Sequence, residues 1–414
     1  MNINLFIART LWSKNGKHDK SISSSTIIAQ ITVIVSFVVI ITAIVISDGF
    51  RYEIKSKASG FCGDIILNSP GVEYNTNLYP VSNKLSYFKE ILALPDVKSL
   101  QGYAYRSGMI KFGDQIQGVV IKGVGGNYDW SFLNSIMSEG SVPDYTDSTA
   151  SNEILLSRRL ADMMGFKVGD DIQIYFIDKV IRVAQYRLKG VFDAQLEDID
   201  RTLVIADIRE VQRLNGWNED QVSGLEIMLS NGADRDSLAK KIDDIVSVRS
   251  TDNDTPVSVS RIDDLFPHLF DWLRLLDFNV MIVLLLMMVV AGFNMLSGLL
   301  ILLFEKISVI GLLKALGMRN PDIHSIFMYK GLKIVVRGMV IGNVIAISLA
   351  LVQKYFQIIK LDPENYFMKA VPVHFDFWKI AGVDVMSVVV IMLLMLLPSV
   401  FVAKVSPDKS IRVK

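Results

Sequence analysis

FNVMIVLLLMMVVAGFNMLSGLLILLF fills Phe278–Phe304 and runs directly into EKISVIGLLKALGM at Glu305–Met318. The first stretch carries no charge. About 20 helical residues cover the roughly 30 Å of a bilayer core, so this segment spans with length left to tilt or to project. The second stretch is charged at its start and apolar at Ile307, Ile310, Leu313 and Leu316, which is helical spacing, and Gly317 is a stop signal. A membrane span that delivers a short amphipathic helix sets the class of the whole chain.

Three more segments fit a bilayer. IIAQITVIVSFVVIITAIVI occupies 27–46; the others lie at 334–356, with Arg337 near the start, and 378–403, with Asp384 early and Pro398 late. The chain is 51% hydrophobic and 21% charged, with a mean hydropathy of +0.37, too apolar for a soluble protein and too charged to lie wholly in lipid. The run 27–46 exceeds a secretory h-region and no small-x-small site follows it, so an uncleaved signal anchor is expected.

Loop charges set the orientation. Arg9, Lys14, Lys17 and Lys20 stand against Asp19 before the first span. Lys306, Lys314, Arg319, Lys330 and Lys333 stand against Glu305 and Asp322 between the second and third. Lys404, Lys409, Arg412 and Lys414 stand against Asp408 in the tail. All three excesses fall on one side of a four-span chain, which places both termini in the cytoplasm and the long loop outside. The expected organisation is an amphipathic segment at 1–26, spans at 27–46, 278–304, 334–356 and 378–403, an outer domain at 47–277, cytoplasmic 305–333, an outer loop at 357–377 and a tail at 404–414.

The outer domain reads as α+β, one fold of two subdomains. Strands are expected at 64–67, 118–121, 153–156, 171–177, 186–191, 203–205 and 224–229. Helices are expected at 85–94, 157–164, 208–214 and 235–246. Residues 178–185 form the tip between two paired strands. A further helical pattern over 265–277, with Pro267 near its start, leads into the second span.

No chemistry of catalysis is legible. Gly123-Val124-Gly125-Gly126 lacks the Lys-Ser/Thr of a phosphate loop. His18, His268, His324 and His374 have no metal spacing, there is no Gly-x-Ser-x-Gly elbow, and Asp263-Asp264 reads as a helix cap or solvated face. The single Cys62 cannot form an internal disulfide and reads as inert. The expectation is a non-catalytic subunit that binds no cofactor and no nucleic acid.

Glu305, Lys306, Ile310, Gly311, Leu313, Ala315, Leu316 and Gly317 stand in register with the second-span exit of the FtsX-like permeases of ABC transporters, Glu-Lys-x-x-x-Ile-Gly-x-Leu-x-Ala-Leu-Gly, and Phe293-Asn294 also fits. Ile154-Leu155-Leu156-Ser157-x-x-Leu160-Ala161, Gly165-x-x-Val168-Gly169-Asp170, Leu188-x-Gly190-Val191-Phe192 and Asp200-x-x-Leu203-Val204 resemble the periplasmic core shared with macrolide-exporter (MacB-type) permeases. Gly49-Phe50, Leu361-Asp362-x-x-x-Tyr366, Pro372-Val373 and Val405-x-Pro407 resemble the lipoprotein-releasing subgroup more narrowly. Together they cover most of the chain.

The resemblance implies a membrane protein with four transmembrane helices and a large α+β periplasmic domain, in the bacterial inner membrane. It would pair with a second permease copy or paralogue and two copies of a cytoplasmic ATPase, which holds the ATP and magnesium. The helix at 305–317 would dock in the ATPase. Lipoproteins would enter between the spans, past Val38, Val45, Met288 and Phe293, and leave to a periplasmic chaperone. One departure concerns the chaperone-capturing hairpin, often Pro-containing: here the tip lacks Pro and instead carries Ile177, Val180, Ile181 and Val183, which either pack into the domain or contact a chaperone. Two other functions remain open, transmission of ATPase strokes to a periplasmic hydrolase and an ATP-independent scaffold, the last leaving the coupling segment unexplained. Arg337 is expected to snorkel, Gly338-x-x-x-Gly342 to permit close helix packing, and Asn279, Asn294 and Asn343 to bond between helices.

Overall fold

The computed structural model describes residues 20–71, 79–113, 115–147, 149–177, 181–230, 232–250, 254–305 and 307–396. The expected amphipathic segment before Lys20, the basic tail, Val180 and Lys306 lie outside the described residues, as do the side chains of 20–26 and of Glu305.

Four described helices are long and apolar enough to cross a membrane. The first runs unbroken from Lys20 to Cys62, well past the expected end at Ile46. Arg51, Glu53, Lys55 and Lys57 end its apolar character but not its helix, since charged side chains of this kind are good helix formers. The second begins at Pro267 and reaches Glu305, so all of the pattern expected at 265–277 but its first two residues forms one helix with the span. Pro267 stands in its first turn, where a missing N–H costs nothing. The third spans Asn320–Phe356 and also starts earlier than the apolar run, with proline again in the first turn. The fourth covers Phe377–Leu394 and is capped by Asp376, whose carboxylate accepts from the N–H groups of Trp378 and Lys379.

These helices pack around two apolar clusters. One joins Val33 and Phe37 to Met295, Leu299, Ile334, Val335 and Ile391. The other joins Ile41, Ile44 and Val45 to Met288, Ala346 and Ile380. The Gly338-x-x-x-Gly342 pair lies against the first helix. A Cβ on Gly338 would meet Val33 Cγ1 at 2.6 Å, and one on Gly342 would meet Phe37 Cβ at 2.7 Å and the Ile34 carbonyl oxygen at 3.0 Å. The small pair therefore serves packing within one chain. Gly342→Ala is expected to destabilise the helical unit by about 1–3 kcal/mol through overpacking, measured as a lowered melting temperature of the detergent-solubilised protein. An unchanged melting temperature would mean that this crossing does not hold in solution.

A second compact unit comprises Glu53–Asp271 together with Leu361–Lys369. It contains β1 (Ile65–Asn68), β2 (Val81–Ser82), β3 (Val97–Phe112), β4 (Gln115–Val124), β5 (Met137–Gly140), β6 (Glu153–Ser157), β7 (Asp171–Ile177), β8 (Ile181–Phe192), β9 (Leu203–Asp207), β10 (Gln221–Val222), β11 (Gly224–Leu229) and β12 (Ser258–Arg261). All but β2 and β10, which pair with each other, join one sheet in the order β12-β1-β11-β3-β4-β9-β6-β8-β5, with β7 bridging β3 and β8. The β4–β9 and β6–β8 pairs are parallel and the others antiparallel.

The pairings β3–β4–β9–β6–β8–β7 return to β3, so six strands close on themselves. Ile110, Ile121, Ile154, Leu156, Ile174, Phe176, Leu188 and Val204 fill the enclosed core. Closure needs a glycine: a Cβ on Gly108 would meet Ile174 Cγ2 at 2.9 Å. Beyond it, β12, β1 and β11 extend the sheet from the other half of β3. The helices at Phe88–Leu92 and Arg235–Arg249 supply a second core with Ile65, Leu67, Ile91, Leu225 and Ile242. The two expected subdomains are thus two cores along one sheet, sharing β3 and the side chain of Ile208.

Local signals place the smaller elements. Ser157 Oγ accepts from Leu160 N, and Gly165 at φ 74° closes the helix Arg158–Met164. Asp207 and Gly216 do the same for Ile208–Asn215. The long strand β3 is absent from the sequence reading, because Gly102, Arg106, Gly108 and Lys111 interrupt any apolar run. Gly123 sits under the helix that follows β9, where a Cβ would meet Ile208 Cα at 2.8 Å, so this glycine cluster serves packing.

Candidate functional site

The segment beyond Lys306 is helical over Ile307–Ala315. It ends as its sequence requires: Gly317 takes φ 89°, Gly317 N donates to the Lys314 carbonyl and Met318 N to the Leu313 carbonyl. Its faces are disposed differently from the sequence expectation. Ile310 is 1% exposed and packs, beside buried Gly311, with Ile323 and Phe327, and Leu313 and Met318 rest against the same cluster. Leu312 and Leu316 are 56% and 76% exposed, and Ser308 and Ala315 are exposed beside them. Ile310 therefore packs inward, and Leu312 and Leu316 are the large apolar side chains that face out. The reason is that the third long helix starts at Asn320 and offers an apolar surface, so the more regular face of the short helix turns to it.

The hairpin β7–β8 is paired closer to its tip than expected, through Ile177↔Ile181 and Tyr175↔Val183. Because pairing is antiparallel and side chains alternate, Tyr175, Ile177, Ile181 and Val183 share one face. The opposite face, with Ile174, Phe176 and Tyr186, fills the closed core. Ile177 and Ile181 are each 65% exposed and Val183 53%, so the packing alternative for these three does not hold. The hairpin end thus carries an exposed apolar patch.

The proposed substrate-path residues divide. Val45 and Met288 are buried in the second helical cluster. Val38 is partly buried and Phe293 is exposed. Within the same unit Asn343 Nδ2 donates to Asp384, an inter-helix bond of the expected kind. Arg337 is exposed. At one end of the helices Ser47 Oγ donates to Asp277 at 3.1 Å, Arg51 pairs with Asp277, and Lys379 pairs with Asp48. These contacts bind the second and fourth helices to the first.

Sequence reasoning missed a buried ionic group at the C-terminal end of the first helix. Lys122, on β4, and Glu226, on β11, are each 1% exposed and meet at 2.6 Å. Lys122 Nζ also donates to the Phe61 carbonyl in the last turn of that helix, where the macrodipole favours a cation. The rings of Tyr103 and Tyr128 lie 5.6 and 5.7 Å from it. Burial works against the Lys122 charge, but the Glu226 carboxylate prevails and holds its pKa above the ordinary lysine value. Beside it, Asp64 accepts from Ser59 Oγ at 2.7 Å and pairs with Arg235 at 2.5 Å. The legible signals were a lone Lys inside Val119-Val120-Ile121-Lys122 and a lone Glu inside Leu225-Glu226-Ile227. Among the described residues no three His, Cys, Asp or Glu side chains gather as metal ligands would.

Two families match this chain: the FtsX-like permease C-terminal family over residues 281–407 and the MacB-like periplasmic core domain over residues 26–245. The lipoprotein-releasing system transmembrane protein LolC of Xylella fastidiosa is 22% identical over 389 residues, covering 89% of this chain and 89% of that protein. The corresponding LolE of Haemophilus influenzae is 23% identical over 342 residues, covering 77% of this chain and 78% of that protein. The periplasmic region of MacB from Actinobacillus actinomycetemcomitans aligns with a TM-score of 0.34 at 11% identity, covering 50% of this chain and 92% of that structure.

Proposed function

This chain belongs to the FtsX-like permeases with a MacB-like periplasmic core domain and is a multi-pass inner-membrane subunit of an ABC transporter, and we propose that it lifts lipoproteins from that membrane and passes them to a periplasmic chaperone. The observation that carries the finer reading is the extent of the likeness to LolC, nearly end to end in both proteins. The exposed hairpin face adds to it.

The mechanism follows from the parts. A separate cytoplasmic ATPase binds the helix Ile307–Ala315 through Leu312 and Leu316, and a second permease copy or paralogue completes the dimer. ATP binding draws the ATPases together and moves the short helices. Because Ile310 is packed against Ile323 and Phe327, that motion passes into the third long helix and its neighbours. The first and second helices, which run unbroken to Cys62 and from Pro267, carry it outward. Acyl chains pass along exposed faces of the spans, Phe293 among them, and the chain does no chemistry on its cargo.

The test is release of a purified lipoprotein from nanodiscs that contain this chain, its ATPase and a second permease subunit, with soluble chaperone as acceptor. ATP-dependent transfer supports the proposal. ATP hydrolysis without transfer, accompanied by activation of a periplasmic peptidoglycan hydrolase, would replace it with the stroke-transmission reading.

The orientation is proposed with the termini inside. A membrane-impermeant thiol reagent is expected to label a cysteine placed at Asp147 in intact spheroplasts and to miss one placed at Ser410; the reverse pattern overturns it. The buried native Cys62 does not compete for the reagent.

The hairpin is the proposed chaperone contact. Ile181→Asp is expected to weaken chaperone capture about tenfold or more in a pull-down while ATP hydrolysis stays unchanged, because the exposed side chain supports no core. Undiminished capture would remove the hairpin from the interface.

A further inference from the structure

Leu361–Lys369 lies between the third and fourth long helices, yet it belongs to the compact unit built on Glu53–Asp271. Its hold there centres on Lys57, in the outer part of the first helix. The Lys57 side chain is 6% exposed. Its Nζ donates to Gln195 Oε1 at 2.8 Å and to the Phe367 carbonyl at 2.9 Å. Lys369 Nζ adds a pair to Asp193 at 2.6 Å, and Leu361 N donates to the Lys369 carbonyl at 2.9 Å, closing the segment into a loop.

Both acceptors come at a conformational cost. Among the described residues three non-glycine positions have positive φ, and two of them are Gln195 at 57° and Phe367 at 60°. The left-handed region brings Cβ too close to the following carbonyl oxygen and is disfavoured for such residues. Such strain persists where surrounding structure enforces it, and it concentrates at clamps and switches. Here the enforcing parts are identifiable. Asp200 Oδ1 accepts from Ala194 N at 3.1 Å and so shapes the turn that presents Gln195. The one-turn helix Pro363–Tyr366 presents Phe367, with Phe367 N donating to the Pro363 carbonyl at 3.0 Å. Burial pulls the Lys57 pKa down, while Glu53, Asp193 and Asp200 oppose it.

We propose that Leu361–Lys369 is a strap, a third mechanical connection between the membrane helices and the outer domain, and that Lys57 is the grip that holds it there. Two helices lead into the outer domain from the first and second spans. The strap adds the third and fourth, whose chain passes through it. Lys57 is a positioning residue: it touches no cargo, and it lets movement of the third helix pull on the turn at 193–200 as well as on the first helix. The inference rests on the transporter reading above.

The experiment uses the full chain in nanodiscs with its ATPase, comparing wild type, Lys57→Met and Lys369→Ala. Methionine keeps the apolar stem and removes the N–H donors, and Lys369 is mostly exposed, so its removal leaves the fold intact even where Lys57→Met does not. Hydrogen exchange is followed at 361–369 and, as internal control, at β9. Lys57→Met is expected to speed exchange in the strap about tenfold or more with β9 unchanged, and Lys369→Ala to do so to a smaller degree. Wild type is expected to show nucleotide-dependent exchange in the strap, lost in Lys57→Met. Lipoprotein released per ATP is expected to fall about fivefold in Lys57→Met at an undiminished rate of hydrolysis. Unchanged strap exchange in both variants, or no nucleotide dependence in wild type, overturns the proposal. So does faster strap exchange with full output per ATP. A wild type that hydrolyses ATP and shows the nucleotide-dependent strap signal but releases no lipoprotein sinks the cargo reading while upholding the strap.

Discussion

Leu316→Asp is expected to abolish capture of the ATPase while leaving the protein inserted, folded and dimeric. Leu316 is 76% exposed, so the substitution removes little packing within the chain. If the side chain fills a groove on the ATPase, the new carboxylate is buried there without a partner. Central apolar anchors of this kind cost about 2 kcal/mol or more when lost, roughly thirtyfold in Kd, and an introduced charge exceeds truncation. Leu312→Asp should act in the same direction. Leu313→Asp is the poorer probe, because Leu313 rests on the cluster around Ile310 and Phe327, and its loss would disturb the helices themselves. The measurement is co-purification of the ATPase from detergent with each variant, alongside ATP hydrolysis in nanodiscs. Normal binding and normal hydrolysis by Leu316→Asp would sink the docking assignment.

Lys122→Met is expected to destabilise the outer domain by about 3–5 kcal/mol, the usual result of leaving one member of a buried ion pair alone. Glu226, 1% exposed, would then keep only the Gln101 side chain of its two hydrogen-bond donors, and the Phe61 carbonyl would lose its cation. Pairing the change with Glu226→Leu should recover much of the loss, because replacing both charges removes the desolvation penalty along with the attraction. Pulse proteolysis of the full chain in detergent measures both variants. The informative quantity is the difference between single and double: if Lys122→Met is no worse than the double variant, the pair is not isolated from solvent.

Much of the architecture was legible because its causes are local. The four apolar runs, the stops at Gly165, Gly216 and Gly317, and the strands β6, β7, β9 and β11 follow from hydrophobic period, capping side chains and glycine conformations, all read within a few residues. The strand β3 was not, since Gly102 and Gly108 weaken it as a strand and are present for what packs on them from elsewhere: Ile174 and Phe176 at Gly108. The helix ends were displaced for a similar reason. Apolar content falls at Ile46, but helical structure continues to Cys62 because its last turns are held by β4, through the Lys122 bond to Phe61.

The site shows the same division. Helical spacing put Ile310, Leu313 and Leu316 together, but the structure packs the first two inward and leaves Leu316 exposed, while Ile177, Ile181 and Val183 stood out only as apolar residues at a hairpin tip. Spacing has no sign, however: it says which residues share a face, not whether the face looks inward. The sequence by itself determined that this chain crosses a membrane four times, that a short amphipathic helix follows the second span, and that an α+β domain fills the long loop. These rest on hydrophobic transfer and local backbone preference, which neighbours in sequence fix. Only the tertiary structure decided that Ile310 turns in and Leu316 out, that Lys122 meets Glu226, 104 positions on in sequence, and that Lys57 reaches Phe367, because each depends on which distant surface competes for the side chain and on whether a buried charge finds its partner.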